Sequence, residues 1–366
     1  MKLLAAGLLL SLSLPAAVVI EDVTIIDVRN GAARPHRNVV IQGNRIVSIG
    51  GLVPAGAAVV SGRGKFLIPG MWNMHVHLEG GDQLAGFLAQ GVTGVEDMGS
   101  DFARVTEWRE AIESGKAAGP HIVSSGPPVA DRVSRRVRFP ELAAPNPREA
   151  RKAFDRLWDM DVDFIKVQPD LTADAYIALA EQARHWHLRV EGAVPLAVSA
   201  WDALEAHQNT IDLSSVLKAV STDAEAIDFF ERCAMHGIRI EPMLAELQRS
   251  GSERIKDVYR LVALSTRTEV ELLAGAGSNA TVQDELEQMV AAGLTPQQAL
   301  RAATIAPARF FESEDMGTVE AGKLADLVLL NANPLVEIGN VREIAGVFSR
   351  GKYYSRTSLK AMAPAH

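Results

Sequence analysis

The sequence predicts an α/β fold, a (β/α)8 TIM-type barrel joined to a small composite β-sandwich domain built from both chain ends. Three observations predict it. From Gly70 onward, short apolar strands alternate with helix-patterned stretches, the texture of βα units around a parallel sheet. The strand candidates are eight, at 71–78, 92–97, 121–125, 162–167, 188–191, 210–213, 238–244 and 270–275. Both ends of the chain instead read as short strands broken by glycine turns. The expected division is 1–17 as a signal peptide, 18–68 with 312–356 as the β-sandwich domain, and 69–311 as the barrel.

Taken in order, the N-terminus carries Lys2, an apolar run over 3–14 and Pro15-Ala16-Ala17, the pattern of an export signal. A run of that length falls short of the roughly 20 residues that span a bilayer. Export to a periplasm or the exterior is the expectation, with membrane tethering left open by the weak cleavage region. Turns follow at Asn30-Gly31, Gly43-Asn44 and Gly50-Gly51. Late in the barrel, TVQDELEQMVAAG reads as a helix stopped by Gly293, and Thr295-Pro296 opens the next. GTVEAGKLADLVLL and AGVFSRGKYY then return to strand patterning, expected to rejoin the N-terminal module. With 366 residues and a formal net charge of -8, the chain can bury a large core but is a poor partner for nucleic acid or an anionic membrane. The single cysteine, Cys233, excludes an internal disulfide and a Cys-rich zinc site. Any metal must therefore use His and oxygen ligands.

His75-Val76-His77, in LIPGMWNMHVHL, is the feature that carries most chemistry. In a strand, Asn73, His75 and His77 share a face, and two imidazoles on one face can hold a metal ion. Lys166, between Ile165 and Val167 in DFIKV, would be costly to bury as a bare ammonium unless a carboxylate such as Asp163 or Asp170 pairs with it.

Together LIPGMWNMHVHL, GVTGVEDMG, DFIKV, GAVPLAVSAWDAL, LTPQQALRAAT and GTVEAGKLADLVLLNANPL resemble the amidohydrolase superfamily, closest to its imidazolonepropionase-like and Xaa-Arg dipeptidase-like branch. The resemblance implies divalent metal, Zn2+, at the C-terminal ends of the barrel strands. It also implies hydrolysis of carbon–nitrogen bonds in amides, lactams or dipeptides. It puts metal ligands at His75 and His77 and a carbamylated lysine, with a catalytic part, at Lys166.

Other positions depart from that pattern. Ala193 stands for the strand-5 histidine, Leu213 for the strand-6 histidine and Gly277 for the strand-8 aspartate, while Asn73 and Glu96 replace a common aspartate and arginine. One ion at most is then expected, in an impaired or mononuclear site. The alternative is a pseudoenzyme that binds a ligand or partner. Restoring Ala193→His and Gly277→Asp, with a histidine near Leu213, is expected to rebuild two-metal binding. Glu191 is the candidate replacement oxygen ligand, although its side chain is expected to alternate with position 193. Asp97 is either a substrate contact or a loop cap. His185, His187 and His207 read as surface or helix-end residues, and Arg132, Arg135, Arg136 and Arg138 as a solvated loop or a patch for an acidic ligand. The expected partners are a small-molecule substrate or ligand, with no nucleic acid and no stable transmembrane segment; a homo-oligomer is left open.

Overall fold

The computed structural model describes residues 17–133, 139–277 and 280–362. The signal-peptide expectation for 1–17 falls almost entirely outside them, as do Arg135, Arg136 and Arg138. No helix among the described residues is long and apolar enough to cross a membrane.

The chain opens with β1 (Val18–Asp27), β2 (Ala32–Gln42), β3 (Arg45–Ile49), β4 (Ala58–Ser61) and β5 (Phe66–Pro69). One edge of β1 takes β2 antiparallel; its other edge takes β4 along the first half and β5 along the second. Register shifts near Ile20, Val23 and Ile25 bend β1, since a bulge adds twist at the point where pairing slips. The bent sheet wraps a core of its own that includes Ile20, Val23, Ile41, Ile46, Leu67 and Leu327.

The parallel part follows: β6 (Met71–Val76), β7 (Val92–Asp97), β8 (His121–Ser124), two short strands β9 (Val129–Ala130) and β10 (Leu142–Ala143), then β11 (Phe164–Val167), β12 (Arg189–Gly192), β13 (Thr210–Asp212) and β14 (Arg239–Glu241). Regular pairing gives three ladders, β6-β7-β8, β10-β9-β11-β12 and β13-β14. Single backbone bonds join their edges: Asp163 N–H donates to Ser124, Asn209 to Val190, Leu273 to Ile240, and Met74 to Ala274. The eighth strand expected at 270–275 is not a regular strand. It is an extended segment with one bridge, Ile240 to Leu272. The other seven strand candidates are found within a few residues of their expected bounds.

Helices between these strands cover the outer face, and their caps match the sequence. Thr222, Thr281 and Thr295 each form a capping box with the residue three further on. The expected stop at Gly293 is seen, with that residue at φ +112°. Finally β15 (Leu327–Leu330), β16 (Ile344–Ser349) and β17 (Lys352–Ser355) return to the first sheet, where β15 pairs with β5. Strands from both ends thus share one eight-stranded sheet.

Gly351 locks the two ends together. It sits at φ +77°, and a Cβ there would collide with the backbone carbonyl of Gly43. Both the left-handed backbone and the close approach require glycine. Gly351→Ala is expected to lower stability by about 1–3 kcal/mol, read as a lower urea midpoint with an unchanged slope.

Candidate functional site

The strand ends bring His75, His77 and Lys166 together. The His75 and His77 rings lie 5.7 Å apart in an edge-on arrangement. Burial, then the charge of Lys166, pushes the His75 imidazole down to about 3 and that of His77 to about 2. Both rings are therefore neutral at physiological pH, the form that donates a lone pair to a metal. His75 Nδ1 lies 3.2 Å from Glu241 Oε2, which orients that ring, while the His77 ring nitrogens have no protein hydrogen bond among the described residues. Carboxylate support of a ligand histidine is the usual arrangement at metal sites.

Lys166 donates from Nζ to the carbonyl of Met98 at 3.0 Å. Burial lowers its ammonium to about 8, against the opposing pull of Asp97, Glu241, Glu246 and Asp212. The alternative pairing with Asp163 is not made, because Asp163 binds Arg109 at 2.6 Å. Asp97 resolves as a loop cap. It accepts from the Leu78 and Ser100 amides at 3.2 Å and from Ser124 Oγ at 2.8 Å, and also from the Ser100 hydroxyl. These bonds fix the turn after His77 and set the Met98 carbonyl that holds Lys166.

Leu213 is fully buried apolar core, and Ala193 is half-buried just after β12. At Gly277 the structure adds something the sequence did not suggest. This residue sits at φ +70°, and a Cβ placed on it would strike the carboxylate of Glu246. A carboxylate thus occupies the space above the eighth segment, supplied by the helix Leu244–Arg249 that follows β14. An aspartate at Gly277 would have to displace the Glu246 carboxylate and adopt a left-handed backbone.

Glu246 is held there by its own helix. Met243 adopts φ 53°, turning the chain so that the Leu244 and Ala245 amides donate to the Glu285 carboxylate at 3.2 and 2.7 Å. Asp212, paired in register with Glu241, sits beside His75 and accepts from the Ser214 amide at 2.8 Å. Burial raises the carboxyls of Asp212 and Glu246.

Below this mouth, Glu191 does not turn away as expected. It is fully buried, in register with Lys166, and forms an interior cluster with Glu96 and Glu241 whose ligand oxygens all lie within 4.8 Å of one another. Among the described residues it is the one such group of His, Cys, Asp and Glu atoms. Arg189 Nε binds Glu191 at 2.9 Å, and its guanidinium lies over the Phe310 and Phe311 rings. His187, His207 and His236 are far from the mouth, lining a cavity of about 660 Å³ with Arg239 and Arg309 at the starts of the strands. Arg132 is exposed and pairs with Asp131.

His75 and His77 present neutral imidazole nitrogens of the kind that can hold a divalent metal, with the Lys166 amine beside them. A signal for Glu191 and Glu241 was present in the sequence: Arg189-Val190-Glu191 and Arg239-Ile240-Glu241 repeat one charged spacing on two strands, which puts each pair on one face.

Comparison with known proteins accords with this geometry. A family model described as the amidohydrolase family matches residues 66–353. A search of curated proteins finds no match. Among solved structures, a Bifidobacterium longum protein assigned as a prolidase aligns with a TM-score of 0.79 at 24% identity, covering 95% of this chain and 98% of that one. A molinate hydrolase aligns at 0.78 and 19%, covering 95% and 96%. A Xaa-Pro dipeptidase with methionine in its active site aligns at 0.75 and 21%, covering 93% and 100%. These likenesses make the fold a TIM-barrel type.

Glu285 is fully buried, and burial raises its carboxyl to about 8. The folded state thus keeps a proton that the unfolded chain releases near 4.5, so this stabilisation is present at acid pH and is lost as pH rises through about 8. Glu285→Gln is expected to flatten the fall in urea midpoint between pH 5 and pH 8 relative to wild type.

Proposed function

The chain belongs to the amidohydrolase family, and on that premise we propose that it is a metal-dependent hydrolase of carbon–nitrogen bonds with a mononuclear site and a relocated general base. The amide-hydrolase class follows from the family. The observation that carries the finer reading is the Glu246 carboxylate standing over Gly277, within the reach of Lys166 and across the mouth from the two histidines.

His75 and His77 would hold the metal through neutral imidazoles. Lys166 supports the third position: an amine titrating near 8 has a substantial neutral fraction at pH 7.5. That lone pair can add to the carbon of CO2, with loss of the nitrogen proton, to give a carbamate anion. A metal bound there supplies Lewis acidity toward the substrate carbonyl and lowers the pKa of water. Glu246 takes the proton from the attacking water as oxygen bonds to the carbonyl carbon. It returns that proton to the nitrogen as the C–N bond breaks, leaving a carboxylic acid and an amine. Burial holds the Glu246 carboxyl above its ordinary value, which strengthens it as a base. The substrate class is an amide, lactam or dipeptide.

Two measurements test this reading. Protein expressed with zinc and desalted is expected to retain near-stoichiometric metal, lost in His75→Ala; metal-free wild-type protein would sink the proposal. Across a panel of dipeptides, N-acyl amino acids and lactams, Glu246→Gln is expected to lower kcat by about 10²–10⁴-fold and to abolish the acid limb of the pH profile. Chelator-sensitive turnover that ignores Glu246→Gln would reassign the base.

A further inference from the structure

The interior beneath the mouth gathers three buried carboxyl groups around one guanidinium. Glu96, Glu191 and Glu241 are each at most 2% exposed, on β7, β12 and β14. Arg189 answers Glu191, and His75, neutral at physiological pH, answers Glu241. Neither oxygen of Glu96 has a hydrogen-bond partner, and neither has Glu191 Oε2 or Glu241 Oε1. Glu96 is wholly buried and aimed at the other two carboxylates. Fully ionised, three carboxylates against one guanidinium would leave two negative charges inside a protein core, and burial raises all three carboxyls toward the protonated form.

Bare buried charge of that size is not tolerated. One divalent cation would neutralise it, and the donor set is all oxygen. Oxygens within 4.8 Å of one another suit a shared ion about 2.0–2.6 Å from each. Carboxylates without thiolate or imidazole select hard cations over zinc. We propose that Glu96, Glu191 and Glu241 form an additional metal site, for a hard divalent cation of the Mg2+ and Mn2+ class, in the barrel interior below His75. The site is distinct from the histidine pair: Glu241 touches His75 with one oxygen and turns the other, unpartnered, into the cluster. Its ion would fix the carboxylate that orients His75, giving the interior a structural role beneath the mouth. It does not depend on the hydrolase reading.

The probe is Mn2+, added to chelator-stripped full-length protein and followed by the loss of the free-ion paramagnetic resonance signal and by Tm. Wild type and His77→Ala are expected to bind one Mn2+ at this site and to gain Tm with it. Glu96→Gln, isosteric and remote from the histidines, is expected to lose both effects while zinc retention at the mouth persists. Should Glu96→Gln not fold, Glu96→Asp keeps the charge but shortens the reach, and is expected to weaken binding about tenfold or more. No Mn2+ bound by wild type, or equal binding by the Glu96 variants, overturns the proposal and assigns the neutralisation to protons. Loss of Mn2+ in His77→Ala overturns it too, by placing the ion at the mouth.

Discussion

The burial of one amine, Lys166, is the constraint on which the mouth of this barrel depends. Its Nζ has one hydrogen-bond acceptor, the Met98 carbonyl, and that carbonyl is fixed by the turn Asp97 caps. Desolvation there drives the amine toward neutrality, and whatever charge it keeps pushes both histidines away from protonation. The same charge draws on Asp97, Asp212 and Glu241, at the ends of β7, β13 and β14, and on Glu246 in the helix that follows β14. Nitrogen donors are thereby kept unprotonated and oxygen donors gathered about one point. The arrangement follows from low dielectric and opposite charge, without reference to any ligand.

Against that frame, the vacant family positions have unequal consequences. Leu213 is buried apolar core and Ala193 is a half-buried alanine, and neither has a carboxylate standing over it in the way Gly277 has. Gly277 is different, because the space a side chain there would enter holds the Glu246 carboxylate from another element. The helix after β14 that carries Glu246 rests on two supports. One is the left-handed Met243 that aims the helix; the other is Glu285, which receives its first two free amides. A helix this short gains little from propensity, so its placement depends on that buried acceptor.

Much of the fold was legible in sequence, since it rests on periodicity. Seven parallel strands announce themselves as apolar runs bounded by turns, and the capping threonines mark helix starts by local hydrogen bonding. The eighth segment misled, because 270–275 is apolar enough for a strand but leaves the ladder after a single bridge at Leu272. His75, His77 and Lys166 were legible as chemistry from type and position. Glu246 was not, for it lies in a helix with an ordinary polar pattern, and only the empty space above Gly277 gives it meaning. Glu191 was misplaced because the expectation set it on the opposite face from 193, whereas residues two apart in a strand share a face and register with Lys166 turns Glu191 inward.

The charged interior explains why this barrel can accept Glu96 where its resemblance leads one to expect arginine. A cation on β7 would meet Arg189 and its aromatic shelf of Phe310 and Phe311. A carboxylate there instead meets Glu191 and Glu241, and burial with their charge raises its affinity for protons. Exchanging the sign at one position converts a balanced interior into an electron-rich one directly under the mouth. Because Glu241 belongs to both layers, whatever neutralises the interior also sets the hydrogen bond on His75. The two layers therefore meet at one shared carboxylate, Glu241, which holds His75 with one oxygen and faces the interior cluster with the other.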